Sequence, residues 1–572
     1  MGDGSIFSWT FCSGCLKLNW MSGSQPGAVD QILQNIDLAS IQDERARKCI
    51  GLLLNLVESL TADLRKAQAE ILYLRQKRGG KGGGGETSRP TPRSSEKQRA
   101  EPPEASKSGK GSKLDRIRID REEVLKVDRA ALPADAEFKG YEAVVVQELR
   151  IGTDNVRFRK EKYYAASSGK TYLASLPQGY AGEFGPNLKS LCLLFAHLCN
   201  MTEPKIAALL ENVGILISDG QISKLLTSAE EQFQQEKEAI VEAGLNSSRW
   251  QHIDDTGTRV DGENRHCQIL CNPLYTAYFT TARKDRLTIL DVLRNGRERT
   301  FRINDEALEL LGQFGVSQRV QQGVRQLPFH QDWSESELNR RLADQIPDLG
   351  VVAHERIVEA AAIAAYHAEA GHVRLLLCDD AKQFKLVADE LALCWIHDGR
   401  HYQTLDPCVA QHGQWLDEFR KRYWDYYKEL RAYRQDPTPE QATQLRDQFD
   451  ELFSTVTGYD ALDQRIAKTK ANKVYLLMVL DHPEIPLHNN TAELGARTRV
   501  RKRVVSYGPR SEQGAKAWDT METLLGTAKK LGVNFFHYIR DRVSGAKKMI
   551  SLAELINQRA TTFDLSPSWS GR

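Results

Sequence analysis

Three acidic segments of this chain have the residue types and surroundings that suit metal-dependent chemistry. In WQHIDDTGTRV, the strand-forming residues Trp250 and Ile253 lead to Asp254, and a polar, glycine-containing stretch follows. The apolar run VRLLLCDD closes on Asp379, and HNNTAE begins a predicted helix that carries Glu493. A carboxylate at a strand end is well placed to hold a metal ion, and Mg²⁺ prefers carboxylate oxygens. We therefore predict that these three carboxylates converge on one site.

Two neighbouring acids, Asp255 and Asp380, compete for the first two positions. Side chains alternate between the two faces of a strand, so one acid of each pair is expected in the site and the other outside it. Any single acid of this kind could also be a solvated residue at a strand end. The recurrence of the pattern in three segments favours a shared site.

The elements that must position these acids form a recognisable order. Three strands in meander precede a helix, an interrupted helical stretch and two further strands, predicted at 250–260, 266–270, 275–280, 286–293, 302–369, 373–380 and 391–396. Strands that alternate with helices after a meander predict a mixed sheet with crossover helices. This is the order of an RNase H-like domain.

A heptad repeat lies near the N-terminus, after an N-terminal segment of residues 1–44. Apolar residues occupy alternating spacings of three and four: Ile50, Leu53, Val57, Leu60, Leu64, Ala67, Ile71 and Leu74. This spacing predicts a two-stranded coiled coil over 45–77 and hence a homo-oligomer. The alternative is one amphipathic helix packed on its own domain, but the Gly/Lys-rich segment that follows offers no adjacent domain in sequence.

Residues 78–113 form a predicted flexible basic linker. Residues 75–121 contain 14 Lys/Arg and 6 Asp/Glu. A segment rich in Gly, Pro, Ser and Lys cannot bury enough apolar surface to offset its ordering entropy. The linker is therefore a solvated tether or a loose contact for the DNA backbone.

Two small modules are predicted between the linker and the first acid. Residues 114–180 read as a small β module, with strands at 143–149, 156–159 and 162–172. Residues 181–247 read as a helical region of helix-turn-helix form, in which Thr202 and Ser218 cap successive helices. Its second helix would present Gln221 and Lys224 to DNA, although two packed helices of an ordinary α domain would have the same pattern.

Composition excludes several protein classes. At 572 residues, with 41% hydrophobic and 27% charged residues, the chain predicts several globular domains. The longest apolar stretches, 191–198 and 360–365, are far shorter than the roughly 20 residues that cross a bilayer. No secretory signal is evident. Cys12 and Cys15 have CxxC spacing, but no second CxxC pair completes a zinc site. The cysteines are therefore predicted to be reduced thiols of a cytosolic protein.

Four motifs resemble those of the insertion sequence 66 family of transposases. IDDTGTRV is similar to that family's first-aspartate strand and LLLCDDAKQF to its second-aspartate strand. CWIHDGRHY is similar to its Cys-Trp-x-His segment, and HNNTAELGARTRVRKRV to its glutamate helix. The predicted coiled coil, linker, small module and helix-turn-helix also occur in the family's order, so the resemblance covers nearly the whole chain.

The resemblance implies a multidomain α+β protein that cuts DNA at the terminal repeats of a mobile element and joins the ends to target DNA. Asp254, Asp379 and Glu493 would be its catalytic, metal-binding triad in an RNase H-like domain of residues 248–545. Two Mg²⁺ ions about 3.5–4 Å apart, for which Mn²⁺ can substitute, would activate the nucleophile and stabilise the leaving oxygen. Asp254 would bridge them. Further implications are a bacterial cytoplasmic, nucleoid-associated location and accessory proteins of the same element as partners.

Basic residues near the acids are candidate DNA contacts. Arg497 and Arg501 are expected on the face of Glu493, with Arg499, Lys502 and Arg503 on its flank, and His397, Arg400 and His401 form a second polar cluster. A Glu493–Arg497 surface pair, worth about 0.3–0.5 kcal/mol, would explain one arginine only. A structural role for His397 is an open alternative.

The chain departs from the family pattern in two places. No cysteine lies between Cys49 and Cys192, so the module at 114–180 must form without zinc. Asp254 and Asp379 are 125 residues apart, which predicts a helical insertion at about 300–370, and residues 546–572 are expected to be a tail. A catalytically silent DNA-binding protein and a metal-dependent nuclease without strand transfer are the alternative functions.

Overall fold

The computed structural model of the protein describes residues 36, 38–79, 117–128, 132–133, 136–180 and 182–563. The Cys12 and Cys15 pair and nearly all of the predicted linker lie outside these ranges. The helices are α1 (Glu44–Gly79), α2 (Pro186–His197), α3 (Glu203–Asn212), α4 (Asp219–Asn246), α5 (Arg286–Leu293), α6 (Asp305–Gln313), α7 (Gln318–Val324), α8 (Glu335–Gln345), α9 (Val351–His367), α10 (Trp395–Gln403), α11 (Ala410–Tyr433), α12 (Pro439–Leu452), α13 (Asp460–Ala471), α14 (Lys473–Leu476), α15 (Met478–Asp481), α16 (Asn490–Ser506), α17 (Glu512–Lys530), α18 (Phe535–Val543) and α19 (Leu552–Phe563). The strands are β1 (Lys162–Ala165), β2 (Lys170–Leu173), β3 (Trp250–Val260), β4 (Glu263–Cys271), β5 (Thr276–Thr281), β6 (Phe301–Arg302), β7 (Asp332–Trp333), β8 (Leu375–Cys378) and β9 (Glu390–Leu393).

A mixed five-stranded sheet forms the centre of the fold, in the order β5-β4-β3-β8-β9. The β3, β4 and β5 strands are an antiparallel meander, whereas β8 runs parallel to both β3 and β9. The predicted meander, the helix at 286–293 and the strand leading to Asp379 are confirmed. The protein is a multidomain α+β chain.

The apolar run before Asp379 is a strand because helices enclose it. All four residues of β8 are buried, as expected for a parallel strand covered on both faces. The crossover into β8 ends with α9, whose residues 360–365 are also buried. The residues of the predicted insertion form helices α6–α9 and a short β6–β7 ladder.

A second helical segment, α10–α15, separates β9 from α16, and the sequence patterns did not reveal it. Its core is aromatic: the ring of Trp395 lies 5.6–6.4 Å, centroid to centroid, from four rings, those of Tyr423, Tyr426, Phe449 and Phe453. The predicted strand at 391–396 is too long, because Cys394 caps α10 and β9 therefore ends at Leu393.

The first part of α1 packs on α11, which is distant in sequence. Leu54 is buried with Leu38 and Val409. The carboxylate of Glu58 accepts hydrogen bonds from the amides of Cys408 and Val409, at the N-terminus of α11, where a negative charge is favourable. The helix predicted over 45–77 is therefore present, and its start has a packing partner that sequence adjacency did not suggest.

Glu58 should make stability depend on pH below about 4.5. Burial alone would raise the pKa of this carboxyl, but hydrogen bonds from His412 and from two backbone amides lower it from 4.5 to about 2. Since the folded pKa is the lower one, the stabilisation is complete above pH 4.5 and is lost as pH falls towards 2. Glu58→Gln should cost about 1–3 kcal/mol at pH 7 and flatten the acid limb of a urea-unfolding series. Glu70→Gln, an exposed acid of the same helix, is the control and should leave that limb unchanged.

Two strands predicted in the small β module do not form. Residues 143–149 and 156–159 have no hydrogen-bonded partner strand, and Val144 and Val146 are each 79% exposed. Alternation alone does not make a strand, because an isolated strand has no ladder and no apolar surface to cover it. Among the described residues of this module, only the hairpin β1–β2 forms.

The region predicted as helix-turn-helix contains α2, α3 and the start of α4. Its core comprises Cys192, Ala196, Ile206, Leu210 and Ile222. Ser218 caps α4 by accepting a hydrogen bond from the Gln221 amide at 3.2 Å, as predicted, whereas Thr202 caps α3 without a side-chain hydrogen bond.

Two helices, α4 and α19, differ from the predictions. The α4 helix continues beyond the predicted Leu226 to Asn246 and buries Ile240 and Val241 in the main core. The expected tail contains α19, which buries Leu552 and Ile556 in the same core. Among the described residues, no helix is long and apolar enough to cross a membrane.

Candidate active site

The first two acids lie at the same edge of the sheet. Pairing between β3 and β8 stops at His252 and Leu377, so Asp254 follows the end of this parallel ladder although β3 itself continues. Asp379 is the first residue after β8. Strand direction therefore places the two carboxyls together, as the sequence predicted from strand ends.

The charges of Asp379 and Glu493 both reach Asp254. The pKa of Asp254 is raised to about 7, first by burial and then by the charge of Asp379, with a further contribution from Glu493. Burial also raises the pKa of Asp379, against the opposing effect of His397. Like-charged carboxyls in a poorly solvated site resist ionisation together, so a bound cation would stabilise the charged cluster.

The competing acids are held by other partners. Asp255 accepts hydrogen bonds from Lys284 at 3.3 Å and from Gln383 at 3.1 Å. Asp380 pairs with Lys385 at 2.6 Å and accepts from Asn472 at 3.2 Å. In contrast, Asp254 accepts from the Asp255 amide and Asp379 from the Ala381 amide. These contacts favour Asp254 and Asp379 as the site residues.

Glu493 lies in the first turn of α16 and is held by an arginine. Arg400, on α10, donates through both terminal nitrogens to the two carboxylate oxygens of Glu493, at 3.1 and 2.8 Å. Such a bidentate pair fixes the plane of the carboxylate. Arg400 thus reaches the site, where it is the ion-pair partner of an acid.

The donor chemistry of these carboxylates fits Mg²⁺, which prefers hard oxygen ligands. Within the described part of the chain, no three His, Cys, Asp or Glu side chains already form a metal-binding group. Both oxygens of Glu493 bind Arg400. Asp254, Asp379 and Glu493 are the residues that would hold an ion, and Glu493 would have to exchange Arg400 for it.

Three buried polar residues that we did not single out from the sequence connect the acidic segments. The Asn489 side chain accepts from His252 Nδ1 at 2.9 Å and donates to the Ile253 carbonyl at 2.7 Å. The Sγ atom of Cys394 accepts from the amides of Asn489 at 3.2 Å and His397 at 3.4 Å. Burial lowers the pKa of His252 to about 3, so the ring is neutral and donates from Nδ1. Cys394 and Asn489 lie inside two of the four quoted motifs and His252 directly precedes a third, which was the only signal available.

The two histidines of α10 also lie near the acids. His397 is close enough to Asp379 to lower the pKa of that carboxyl. The His397 and His401 rings are 5.3 Å apart, and burial lowers the pKa of His401 to about 4. His397 is therefore positioned at the acids, as the sequence suggested.

The structure corrects the predicted basic flank of α16. Lys502 is only 4% exposed and its Nζ donates to His197 at 2.7 Å, so it does not face solvent and is not available to DNA. Arg499 is fully buried and pairs with Asp519 and Glu522. That side of the helix packs between the sheet and α17, so these two basic residues are buried although the sequence predicted that they face DNA.

The other predicted DNA contacts remain at the surface. Arg497 and Arg501 are exposed on α16, and Arg503 is partly exposed while it donates to the Gly257 carbonyl. Gln221 and Lys224 are exposed near the start of α4.

Comparison with known proteins gives two matches. A family model described as "Transposase IS66 family" matches residues 360–517, a span that includes Asp379 and Glu493 but not Asp254. The uncharacterized protein y4jO of Sinorhizobium fredii (strain NBRC 101917 / NGR234) is 33% identical over 334 residues, which cover 56% of this chain and 100% of that protein.

Proposed function

This chain belongs to the IS66 transposase family, and from that premise we propose that it cuts DNA at the ends of a mobile element and joins them to target DNA. The observation that carries the proposal is that Asp254 and Asp379 lie at one sheet edge and that the charges of Asp379 and Glu493 both reach Asp254. Family membership implies DNA as the partner, and the acids offer the means of breaking its backbone.

The proposed catalytic domain is RNase H-like and spans residues 248–545. An antiparallel meander joined to two parallel strands, in the order β5-β4-β3-β8-β9, supports this assignment. The segments α6–α9 and α10–α15 would then be two insertions, one before the second acid and one before the third.

The proposed chemistry is hydrolysis and transesterification of phosphodiesters. Two Mg²⁺ ions, or Mn²⁺ in their place, would supply an activated water or 3′-hydroxyl and stabilise the leaving oxygen. Asp254, whose pKa is raised by burial and by the charges of Asp379 and Glu493, would hold the ions together with these two acids. His397, which lowers the pKa of Asp379, would hold the scissile phosphate.

Arg400 would have two partners in this scheme. Its guanidinium is bound to both carboxylate oxygens of Glu493. A DNA phosphate is also a bidentate acceptor for arginine, so a phosphate entering the site could take Arg400 and release Glu493 for metal binding. Phosphate binding and assembly of the acids would then favour each other.

The proposed DNA path uses the exposed cations. Arg497, Arg501 and Arg503 extend from Glu493 along α16 and would contact the phosphate backbone, while Gln221 and Lys224 would read the element ends. The 28 residues of α4 span about 42 Å, and the helix ends four residues before β3. A continuous helix would hold the reading end at a constant distance from Asp254.

The test is incubation of the protein with DNA that carries the element's own ends, in Mg²⁺. We expect salt-sensitive binding to these ends, cleavage at the element boundary and joined products. EDTA should abolish cleavage and joining and leave binding unchanged. Random duplex is the control substrate. Binding without cleavage would favour a silent DNA-binding protein, and cleavage without joining would favour a nuclease.

We also propose that α1 pairs two chains as a coiled coil. Heptad residues Leu60 and Leu64 are 60% and 59% exposed, an unusual position for leucines unless a second helix covers them. Replacing both with Gln should convert the oligomer to monomers in light scattering. Replacing the exposed Lys66 with Gln is the control and should leave the oligomer intact. An oligomer that survives the double leucine change would contradict this role for α1.

A further inference from the structure

A buried polar cluster, defined as His252, Cys394 and Asn489, joins the segments that carry the proposed catalytic groups. The three residues are 1%, 2% and 2% exposed. Each belongs to a different element: His252 to β3, Cys394 to the turn between β9 and α10, and Asn489 to the N-cap of α16. Polar groups this deeply buried are retained only when their hydrogen bonds are made.

Asn489 contacts β3 at two adjacent points. It accepts from His252 Nδ1 and donates to the Ile253 carbonyl, at 2.9 and 2.7 Å, immediately before Asp254. Two hydrogen bonds from one planar amide determine both the distance and the orientation of the strand relative to the helix. No other side chain of this size offers a donor and an acceptor in that arrangement: Asp cannot donate from its ionised form, and Leu does neither.

The same residue begins the turn that carries the third acid. The Asn489 carbonyl accepts from the Glu493 amide at 3.1 Å, which is the first helical hydrogen bond of α16. The Asn489 amide donates to Cys394 Sγ, and the same sulfur accepts from the His397 amide to cap α10. The α10 helix in turn carries Arg400, which binds Glu493.

We propose that Asn489 is the positioning residue of the active site: its hydrogen bonds determine the position of Glu493 relative to Asp254. Cys394, which accepts hydrogen bonds from the amides of Asn489 and His397, fixes the position of α10 and hence of His397 and Arg400. This inference rests on the proposed function. Asn489 touches neither substrate nor metal in this scheme, and acts through the backbone of β3 and the first turn of α16. Supporting groups behind metal ligands commonly change metal affinity or activity by about 10- to 100-fold.

The experiment compares Asn489→Ala and Asn489→Asp with a matched buried asparagine. Asn272 is 0% exposed, and its side chain makes three hydrogen bonds at the β4–β5 turn, to Gly244, Ser247 and Leu274 and to none of the acids. Asn272→Ala therefore removes a comparable set of buried hydrogen bonds and leaves those of His252, Cys394 and Asn489 in place. Asn489→Asp keeps the size of the side chain and the acceptor for His252 but loses the donor to Ile253.

The first readout is Mn²⁺ affinity of the protein bound to element-end DNA, in which a phosphate would hold Arg400 and leave Glu493 to the metal, measured by electron paramagnetic resonance. The second is the division of cleavage kinetics between KM for element-end DNA and kcat, and the third is Tm. Both Asn489 variants should lose about 10- to 100-fold in Mn²⁺ affinity and in kcat, with KM unchanged. Asn272→Ala should lower Tm and leave Mn²⁺ affinity and kcat as in the parent protein.

The outcomes separate this inference from the proposed function. If the parent protein binds no Mn²⁺ and cleaves no DNA, the proposed function fails. If the parent does both and the Asn489 variants match it, or if Asn272→Ala loses as much Mn²⁺ affinity and kcat as they do, the positioning role alone is overturned. Failure of both Asn489 variants to fold would assign the cluster to stability and also overturn it.

Discussion

Replacing Asp254 or Asp379 with Asn, or Glu493 with Gln, is expected to reduce DNA cleavage and joining by at least about a thousandfold, because each change removes a charge that the metal ions need. The substitutions keep side-chain size, so folding and end-binding should persist. Burial and the neighbouring charges raise the pKa of Asp254, and burial raises that of Asp379, so Tm of these two variants should be equal or higher in the absence of metal. Glu493→Gln removes the ion pair with Arg400, so its Tm should be equal or lower. Strand-cleavage assays in Mg²⁺ and in Mn²⁺, with thermal unfolding, measure both effects.

Asp255→Asn and Asp380→Asn are the matched controls for the triad. Their carboxylates are bound to Lys284 and Lys385, and both variants should keep most of the activity. Full activity of Glu493→Gln would remove α16 from the catalytic assignment. Loss of activity in Asp255→Asn together with an active Asp254→Asn would move the site to the neighbouring residue.

Arg499→Leu is expected to destabilise the fold by about 3–5 kcal/mol, because it leaves buried carboxylates without their cation. Arg499 is fully buried and bonds Asp519 and Glu522, which are themselves almost wholly buried. These ion pairs join α16 to α17, so their loss should make the helix that carries Glu493 less rigid. Urea unfolding of the parent and variant proteins gives the free energy of unfolding directly.

Arg497→Leu provides the comparison on the same helix. Its side chain is exposed, and the change should alter stability by no more than about 0.5 kcal/mol. Neutralising the carboxylates as well, in Arg499→Leu with Asp519→Asn and Glu522→Gln, should recover part of the loss. Equal destabilisation by the two leucine variants would show that the buried charges are not its source.

Local patterns in the sequence determined the elements around the site. The meander, the helix at 286–293 and the Ser218 cap depend on alternation, spacing and capping among residues that are close in the chain, and they form as predicted. The approach of Asp254 and Asp379 was also predictable, because the ends of neighbouring parallel strands meet at one sheet edge. The resemblance of four motifs indicated the family, which the comparisons bear out.

Only the tertiary structure decided which polar groups face inward. Charged residues occur around much of α16, so no apolar stripe marks its buried side. Packing against the sheet and α17 separates the buried Arg499 and Lys502 from the exposed Arg497 and Arg501. Residues 143–149 alternate correctly but lack a partner strand, so no sheet forms there. The Arg400–Glu493 pair and the contacts of Asn489 join residues 93 and more than 230 positions apart. Such contacts depend on where whole elements lie in space, and no spacing along the chain contains that information.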